Sequence, residues 1–140
     1  EADVIEQILK VKSQMDSGMF KPLQFAAVEA LKQGPEWFAR LNEEYARRRV
    51  LAGEIFDILG VEYDHNSSGM FLWGRVPEGK GDALADKVLY EAGVFITPGF
   101  IFGKNGEDYI RISLCAKPEV LKKAAERIRS VIPSEVEGSK

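Results

Sequence analysis

Apolar positions spaced three and four residues apart predict three helices in the first 60 residues. The first helix covers 3–16. The second helix covers 22–32 and has a proline in its first turn. Gly34 and Pro35 then end one helix and begin the next. The third helix is predicted over 35–59, a length of ~38 Å at about 1.5 Å per residue, which suits a helix that lies across a sheet.

The rest of the chain alternates between short strands and helices. Strands are predicted over 70–76, 94–97 and 108–115, because each run is rich in β-branched or aromatic residues and ends at turn residues. A helix capped by Asp82 is predicted to continue to about Ala92, and a last helix covers 118–132. The inward stripe predicted for the last helix consists of Val120, Leu121, Ala124, Ile128 and Val131.

This order of elements predicts an α+β fold. Three helices are followed by strand, helix, strand, strand and helix, with short connections between them. We expect a small, mostly antiparallel sheet covered by helices, with the long third helix crossing it. Residues 1–133 are expected to form one domain, and 134–140 a polar tail.

Composition and charge exclude several classes of protein. The 140 residues are 45% hydrophobic, with 8 Phe, 4 Tyr and 2 Trp, which is typical of a packed chain and not of a disordered one. A net charge of −3 argues against nucleic-acid binding. The single cysteine cannot form an internal disulfide, which favours the cytoplasm, and no apolar run approaches the ~20 residues of a membrane span.

The strand over 109–114 carries the candidate binding residue. Alternation directs Ile110, Ile112 and Leu114 to one face of the strand. It directs Arg111 to the other face, together with Tyr109 and Ser113. A guanidinium on a rigid strand can donate two parallel hydrogen bonds to a carboxylate. From spacing alone, an arginine on the solvated face of a sheet is the commoner explanation.

Other polar residues are weaker candidates. His65 is the only histidine and has no companion at metal-ligand spacing, so we interpret it as a loop residue and expect no metal site. Cys115 is interpreted as a structural thiol next to the apolar strand face, because no histidine signature accompanies it. The cluster Arg47-Arg48-Arg49 is interpreted as a solvated helix face, because nearby glutamates offset its charge.

Several blocks follow one another in an order and spacing typical of one family. They are 11–27 (VKSQMDSGMFKPLQFAA), 69–73 (GMFLW), 94–103 (VFITPGFIFG) and 109–113 (YIRIS). Together they resemble the C-terminal part of class I/II aminotransferases, which are fold-type I enzymes that use pyridoxal 5′-phosphate. The resemblance covers nearly the whole chain.

The resemblance implies a function for one residue and a location for others. Arg111 matches the family's arginine that binds the α-carboxylate of the amino or keto acid. The segment 16–22 matches a loop that, in family dimers, approaches the partner subunit's active site. The Schiff-base lysine, the acid that pairs with the pyridine nitrogen and most phosphate contacts are expected in a large domain upstream of Glu1. No catalytic or cofactor-binding residue is therefore assigned here, and these 140 residues alone are expected to fold without catalysing.

Two further hypotheses accompany this interpretation. Exposed apolar residues such as Ile5, Ile8 and Phe20 are expected to drive self-association of a domain separated from its large domain. The alternative function is a self-standing α+β module that uses Arg111 to bind a small carboxylate without any cofactor.

Overall fold

The computed structural model describes residues 1–77 and 79–132. The predicted tail over 134–140 lies outside the described residues. The chain divides into two compact units, Glu1–Ala39 and Arg40–Lys140. The α-helices of the described residues are α1 (Ala2–Met15), α2 (Lys21–Leu31), α3 (Pro35–Ile58), α4 (Gly81–Lys87) and α5 (Pro118–Val131).

The first unit consists of α1, α2 and the start of α3. All three predicted helices are confirmed, with ends within one residue of the expected positions. None of the residues of α1 or α2 is buried, so the apolar stripe of α1 is exposed. Ile5 is 59% and Ile8 57% exposed. No helix among residues 1–77 and 79–132 has the length and apolar character that a membrane span needs.

The described residues of the second unit contain a four-stranded antiparallel sheet. Its strands are β1 (Glu62–Tyr63), β2 (Phe71–Arg75), β3 (Thr97–Pro98) and β4 (Tyr109–Ser113). Their spatial order is β1-β2-β4-β3, and all three pairings are antiparallel. The central strand β4 therefore has a neighbour on each side.

One face of this sheet carries the hydrophobic core. Leu72, Ile110 and Ile112 alternate with more exposed residues along β2 and β4, and each is less than a tenth exposed. Phe56 of α3 packs on β2 at Gly74, where a Cβ would lie 2.8 Å from Phe56 Cε2. The helices α4 and α5 complete the core with Ala85, Val88, Ala92, Leu121, Ala125 and Ile128. The predicted α+β class, with an antiparallel sheet packed against helices, is confirmed.

The strand predicted over 94–97 is wrong in position. Only Thr97 and Pro98 pair with β4. The N–H of Val94 still donates to the carbonyl of Val88, at 3.4 Å, so the start of the predicted strand closes the preceding helix instead. Gly93 ends that helix as expected, in the left-handed conformation at φ +61°.

The predicted cap at Asp82 is also wrong. The helix α4 begins at Gly81, so its cap position is Lys80, two residues before Asp82, and the Gly81 N–H donates to the carbonyl of Glu107 at 2.8 Å. Gly81 packs directly on the Tyr109 backbone, where a side chain would collide. This close contact places the start of the helix at Gly81 and not after Asp82. The expected helix over 82–92 also ends in a wider π-helical turn over Val88–Ala92.

The stripe predicted for the last helix is partly wrong. Leu121, Ala125 and Ile128 form the buried line of α5, at spacings of four and three residues. Val120 and Val131, both predicted to face inward, are 57% and 38% exposed, so neither enters the core, whereas Ala125, which the prediction omitted, is buried. The hydrophobic pattern predicted the helix correctly, but it predicted a wider buried face than the structure has.

Candidate functional site

Arg111 lies in the middle of the sheet, on the face opposite the core. In register, it faces Trp73 of β2 on one side and Thr97 of β3 on the other. The alternation predicted for this strand is confirmed, because Ile110 and Ile112 are buried while Arg111 is only half-buried. The backbone that carries the guanidinium is therefore held by hydrogen bonds to two neighbouring strands.

Two phenylalanine rings enclose the Arg111 guanidinium. Its Cζ lies 4.2 Å from the centroid of the Phe71 ring and 4.4 Å from that of Phe102. Phe71 comes from β2, and Phe102 from a 3₁₀ helix over Gly99–Phe102. Both distances are within the ~6 Å at which a cation is attracted by the face of an aromatic ring.

A second aromatic pair extends this surface. Trp73 stacks on Tyr109 with ring centroids 5.6 Å apart, and its ring meets Phe102 edge-on at 5.5 Å. Trp73 is 38% exposed and Phe102 is 52% exposed. Arg111 is thus surrounded by aromatic side chains that remain accessible on this face of the sheet.

The electrostatic position of Arg111 points to an anionic ligand. Its Nε is buried and donates to no hydrogen-bond acceptor among residues 1–77 and 79–132. Within the same ranges, none of the ion pairs involves Arg111. A buried donor without a partner is costly, and more so when it carries charge, so a carboxylate that supplied acceptors would stabilise the site.

A close backbone contact determines where Phe102 lies. A Cβ at Gly106 would lie 2.8 Å from the carbonyl carbon of Gly99 and nearer still to its oxygen. A Cβ at Gly99 would in turn lie 3.0 Å from Tyr109 Cβ and collide with the carbonyl oxygen of Gly106. The two glycines therefore let the segment over 99–106 fold tightly against β4, which brings Phe102 over Arg111.

The other candidate residues lie away from this site. His65 is a turn residue, as predicted, and its ring lies 4.3 Å from that of Tyr63. No group of three His, Cys, Asp or Glu side chains able to hold a metal ion occurs in the described part of the chain. Cys115 is exposed, so its interpretation as a structural thiol is wrong. The strand ends at Ser113, and Cys115 occupies the turn beyond it.

The arginine cluster on α3 is not simply a solvated face. Arg48 donates to the carbonyl of Leu114 at 3.0 Å, and Arg49 donates to the carbonyl of Gly69 at 2.6 Å. The hydrogen bond from Arg48 lowers the pKa of Glu44, as do the charges of Arg47 and Arg48. Sequence reasoning missed these bonds because their acceptors are backbone groups far away in the chain.

Sequence reasoning also missed Phe71 and Phe102. A signal for Phe71 was present, since alternation along β2 sends it to the face opposite Leu72. Phe102 carried no such signal, because the 3₁₀ turn that contains it was not predicted. Its approach to Arg111 depends on the contact between Gly99 and Gly106 described above.

Pyridoxal phosphate makes specific demands on the side chains that hold it. The cofactor needs a lysine for its Schiff base and an acid for its pyridine nitrogen, both shielded from bulk water. No charged or polar side chain is buried among residues 1–77 and 79–132. A lysine and an acid shielded in this way are therefore not found among these described residues.

Comparison with known sequences gives a consistent family. The family model described as "Aminotransferase class I and II" matches residues 1–128. LL-diaminopimelate aminotransferase from Moorella thermoacetica is 39% identical over 132 residues, which make up 94% of this chain and 34% of that protein. The enzyme of the same name from Halothermothrix orenii is 36% identical over 92% of this chain and 33% of its own length.

Comparison with solved structures agrees. The probable N-succinyldiaminopimelate aminotransferase from Thermus thermophilus matches with a TM-score of 0.77 at 29% identity, over 92% of this chain and 35% of that one. The chain spans about a third of the length of the curated relatives it matches. Pyridoxal phosphate is the cofactor of the matched family. This chain belongs to the class I and II aminotransferases.

Proposed function

We propose that residues 1–133 are the C-terminal small domain of a pyridoxal phosphate-dependent aminotransferase. Such an enzyme transfers an amino group between an amino acid and a 2-oxo acid. In this proposal, Arg111 binds the α-carboxylate of either substrate. The observation that supports this role most strongly is the Arg111 guanidinium itself, which is half-buried, surrounded by aromatic rings and without an acidic partner in the described residues.

We further propose LL-diaminopimelate as the amino donor. This rests on the names of the two curated relatives, which are 39% and 36% identical to the chain. Both identities cover more than nine-tenths of this chain, including the strand that carries Arg111. Side-chain selectivity requires pocket residues beyond these, so the assay must compare several amino donors.

Arg111 would contribute binding and orientation. Its planar guanidinium can donate two parallel hydrogen bonds to a carboxylate, which fixes the direction of the substrate as well as its distance. Because β4 is hydrogen-bonded on both sides, the anchor point is rigid. A substrate held by its α-carboxylate presents the neighbouring Cα–H bond in one orientation, which lowers the entropic cost of the reaction.

The remainder of the proposed enzyme lies outside these residues. The Schiff-base lysine and the acid that pairs with the cofactor belong to a large domain encoded upstream. The parent is proposed to be a cytoplasmic homodimer, in which the segment over 16–22 approaches the partner subunit's active site. The 140 residues alone are accordingly proposed to be inactive.

The test uses the protein encoded by the complete open reading frame. Loaded with pyridoxal phosphate, it should transfer the amino group of LL-diaminopimelate to a 2-oxo acid, and Arg111→Gln should raise the KM for the donor about 10²-fold, the cost of a lost charged hydrogen-bond pair. Arg75→Gln is the matched control, because Arg75 lies on the same sheet face with its side chain 51% exposed.

Three results would count against the proposal. An unchanged KM in Arg111→Gln would contradict the carboxylate role, and transamination by the 140-residue chain with added cofactor would contradict its inactivity. Calorimetric binding of amino or keto acids to the 140 residues without cofactor would favour the self-standing module instead.

A further inference from the structure

We infer that Phe71 and Phe102 are positioning residues for Arg111, holding its guanidinium between two ring faces so that its edge is presented to a carboxylate. The inference rests on the proposed function and extends it to residues that do not themselves bind substrate through polar groups. It is carried by two distances, 4.2 Å from the Arg111 Cζ to the Phe71 centroid and 4.4 Å to the Phe102 centroid.

The two rings come from different parts of the chain. Phe71 is fixed by the pairing of β2 with β4, in register with Ser113, and so lies diagonally across from Arg111. Phe102 is fixed independently by the contact between Gly99 and Gly106. A guanidinium in contact with two rings that are fixed independently has less freedom to rotate than a free arginine side chain, which has many rotamers.

The rings also change how the charge is solvated. Ring carbons cannot accept strong hydrogen bonds, so water is excluded from the covered faces while the electrostatic attraction of the rings partly replaces it. This shielding agrees with the Arg111 Nε, which is buried and has no partner among the described residues. The hydrogen bonds that remain possible lie in the plane of the guanidinium, where a carboxylate can accept two of them.

The expected kinetic signature is a change in KM without a matching change in kcat. The anchor holds the carboxylate in the ground state as well as in the transition state, so weakening it through the rings mainly removes binding that both states share. In the full enzyme, Phe102→Leu and Phe71→Leu should each raise KM for the amino donor about tenfold, the size of one shielded cation–ring interaction. Phe102→Tyr retains a ring and should restore the parent KM.

A spectroscopic readout tests the geometry without any activity. In ¹H–¹⁵N spectra of the 140-residue chain, the Arg111 Nε–H should be shifted upfield by the ring currents and exchange more slowly than those of exposed arginines. Phe102→Leu should move this signal toward the exposed arginines, and Phe102→Tyr should not. Phe95→Leu is the control, since Phe95 is 70% exposed and lies over no cation in the described residues.

The results separate the two levels of the proposal. An unchanged KM in Arg111→Gln would overturn the carboxylate role itself, whatever the rings do. A raised KM in Arg111→Gln together with a parent KM in both leucine variants would overturn only the role of the rings. An Arg111 Nε–H that resonates and exchanges like those of exposed arginines in the parent chain would overturn the enclosed geometry directly.

Discussion

Replacing Gly106 by alanine tests how the backbone brings Phe102 to Arg111. The new Cβ would lie 2.8 Å from the carbonyl carbon of Gly99 and 3.4 Å from its Cα. An unstrained contact between two carbons is about 3.5–4.0 Å. The two segments must therefore separate by about 1 Å, because both partners are backbone and neither can rotate away.

The expected cost follows from two opposing effects. Overpacking of this kind destabilises by about 1–3 kcal/mol, whereas replacing glycine by alanine stabilises by about 0.4–1 kcal/mol through the unfolded state. The net loss should be about 1–2 kcal/mol, or roughly 3–8 °C in Tm for a domain of this size. The same separation moves Phe102 away from Arg111, so the Arg111 Nε–H signal should shift as it does in Phe102→Leu.

The assay combines denaturant unfolding, followed by circular dichroism, with the ¹H–¹⁵N spectrum. Gly18→Ala is the matched control, because a Cβ at Gly18 meets nothing within 4 Å and its φ is not positive. Its stability should stay within about 1 kcal/mol of the parent. A Gly106→Ala chain with the parent stability and an unmoved Arg111 signal would refute the reasoning.

Three further predictions concern the fold. Leu72 is fully buried, so Leu72→Ala should lower the free energy of unfolding by about 2–5 kcal/mol. Val120 is 57% exposed, so Val120→Ala should lower it by only about 0.5 kcal/mol. Equal losses in denaturant titrations would contradict the corrected stripe of α5. Burial and the negative charge of Asp57 raise the pKa of Tyr63, so the native state retains that proton longer than the unfolded state. The free energy of unfolding should therefore fall as pH rises above about 10, and less steeply in Tyr63→Phe; identical slopes would be the contrary result. Finally, the exposed stripe of α1 should make the 140-residue chain associate in light scattering, whereas a chain with Ile5→Glu and Ile8→Glu should scatter as a monomer; a monomeric parent would contradict this.

The sequence was sufficient for the elements whose signals are local. Periodicity and the Gly34-Pro35 junction located the first three helices to within one residue. Alternation along β4 correctly separated Arg111 from the buried Ile110 and Ile112. Both signals depend on residues that are close in the sequence, three or four apart in a helix and two apart in a strand. A short stretch of sequence is therefore enough to predict such an element.

The failures arose where distant backbone groups decided the outcome. The cap of α4 is Lys80 and not Asp82, because the Gly81 N–H donates to the carbonyl of Glu107. The strand β3 begins only at Thr97, because the Val94 N–H donates back to Val88 and extends the preceding helix. Phe102 was missed for the same reason, because a 3₁₀ turn and two facing glycines bring its ring to Arg111. Such contacts leave no periodic trace in the sequence.

The most direct test of the account compares two donors in the full enzyme. One is an amino acid substrate, and the other is the corresponding amine without an α-carboxylate. The parent enzyme should prefer the amino acid strongly in kcat/KM, and Arg111→Gln should reduce that preference about 10²-fold while leaving kcat/KM for the amine nearly unchanged. If Arg111→Gln kept the full preference for the amino acid, then Arg111 would not be the group that binds the α-carboxylate.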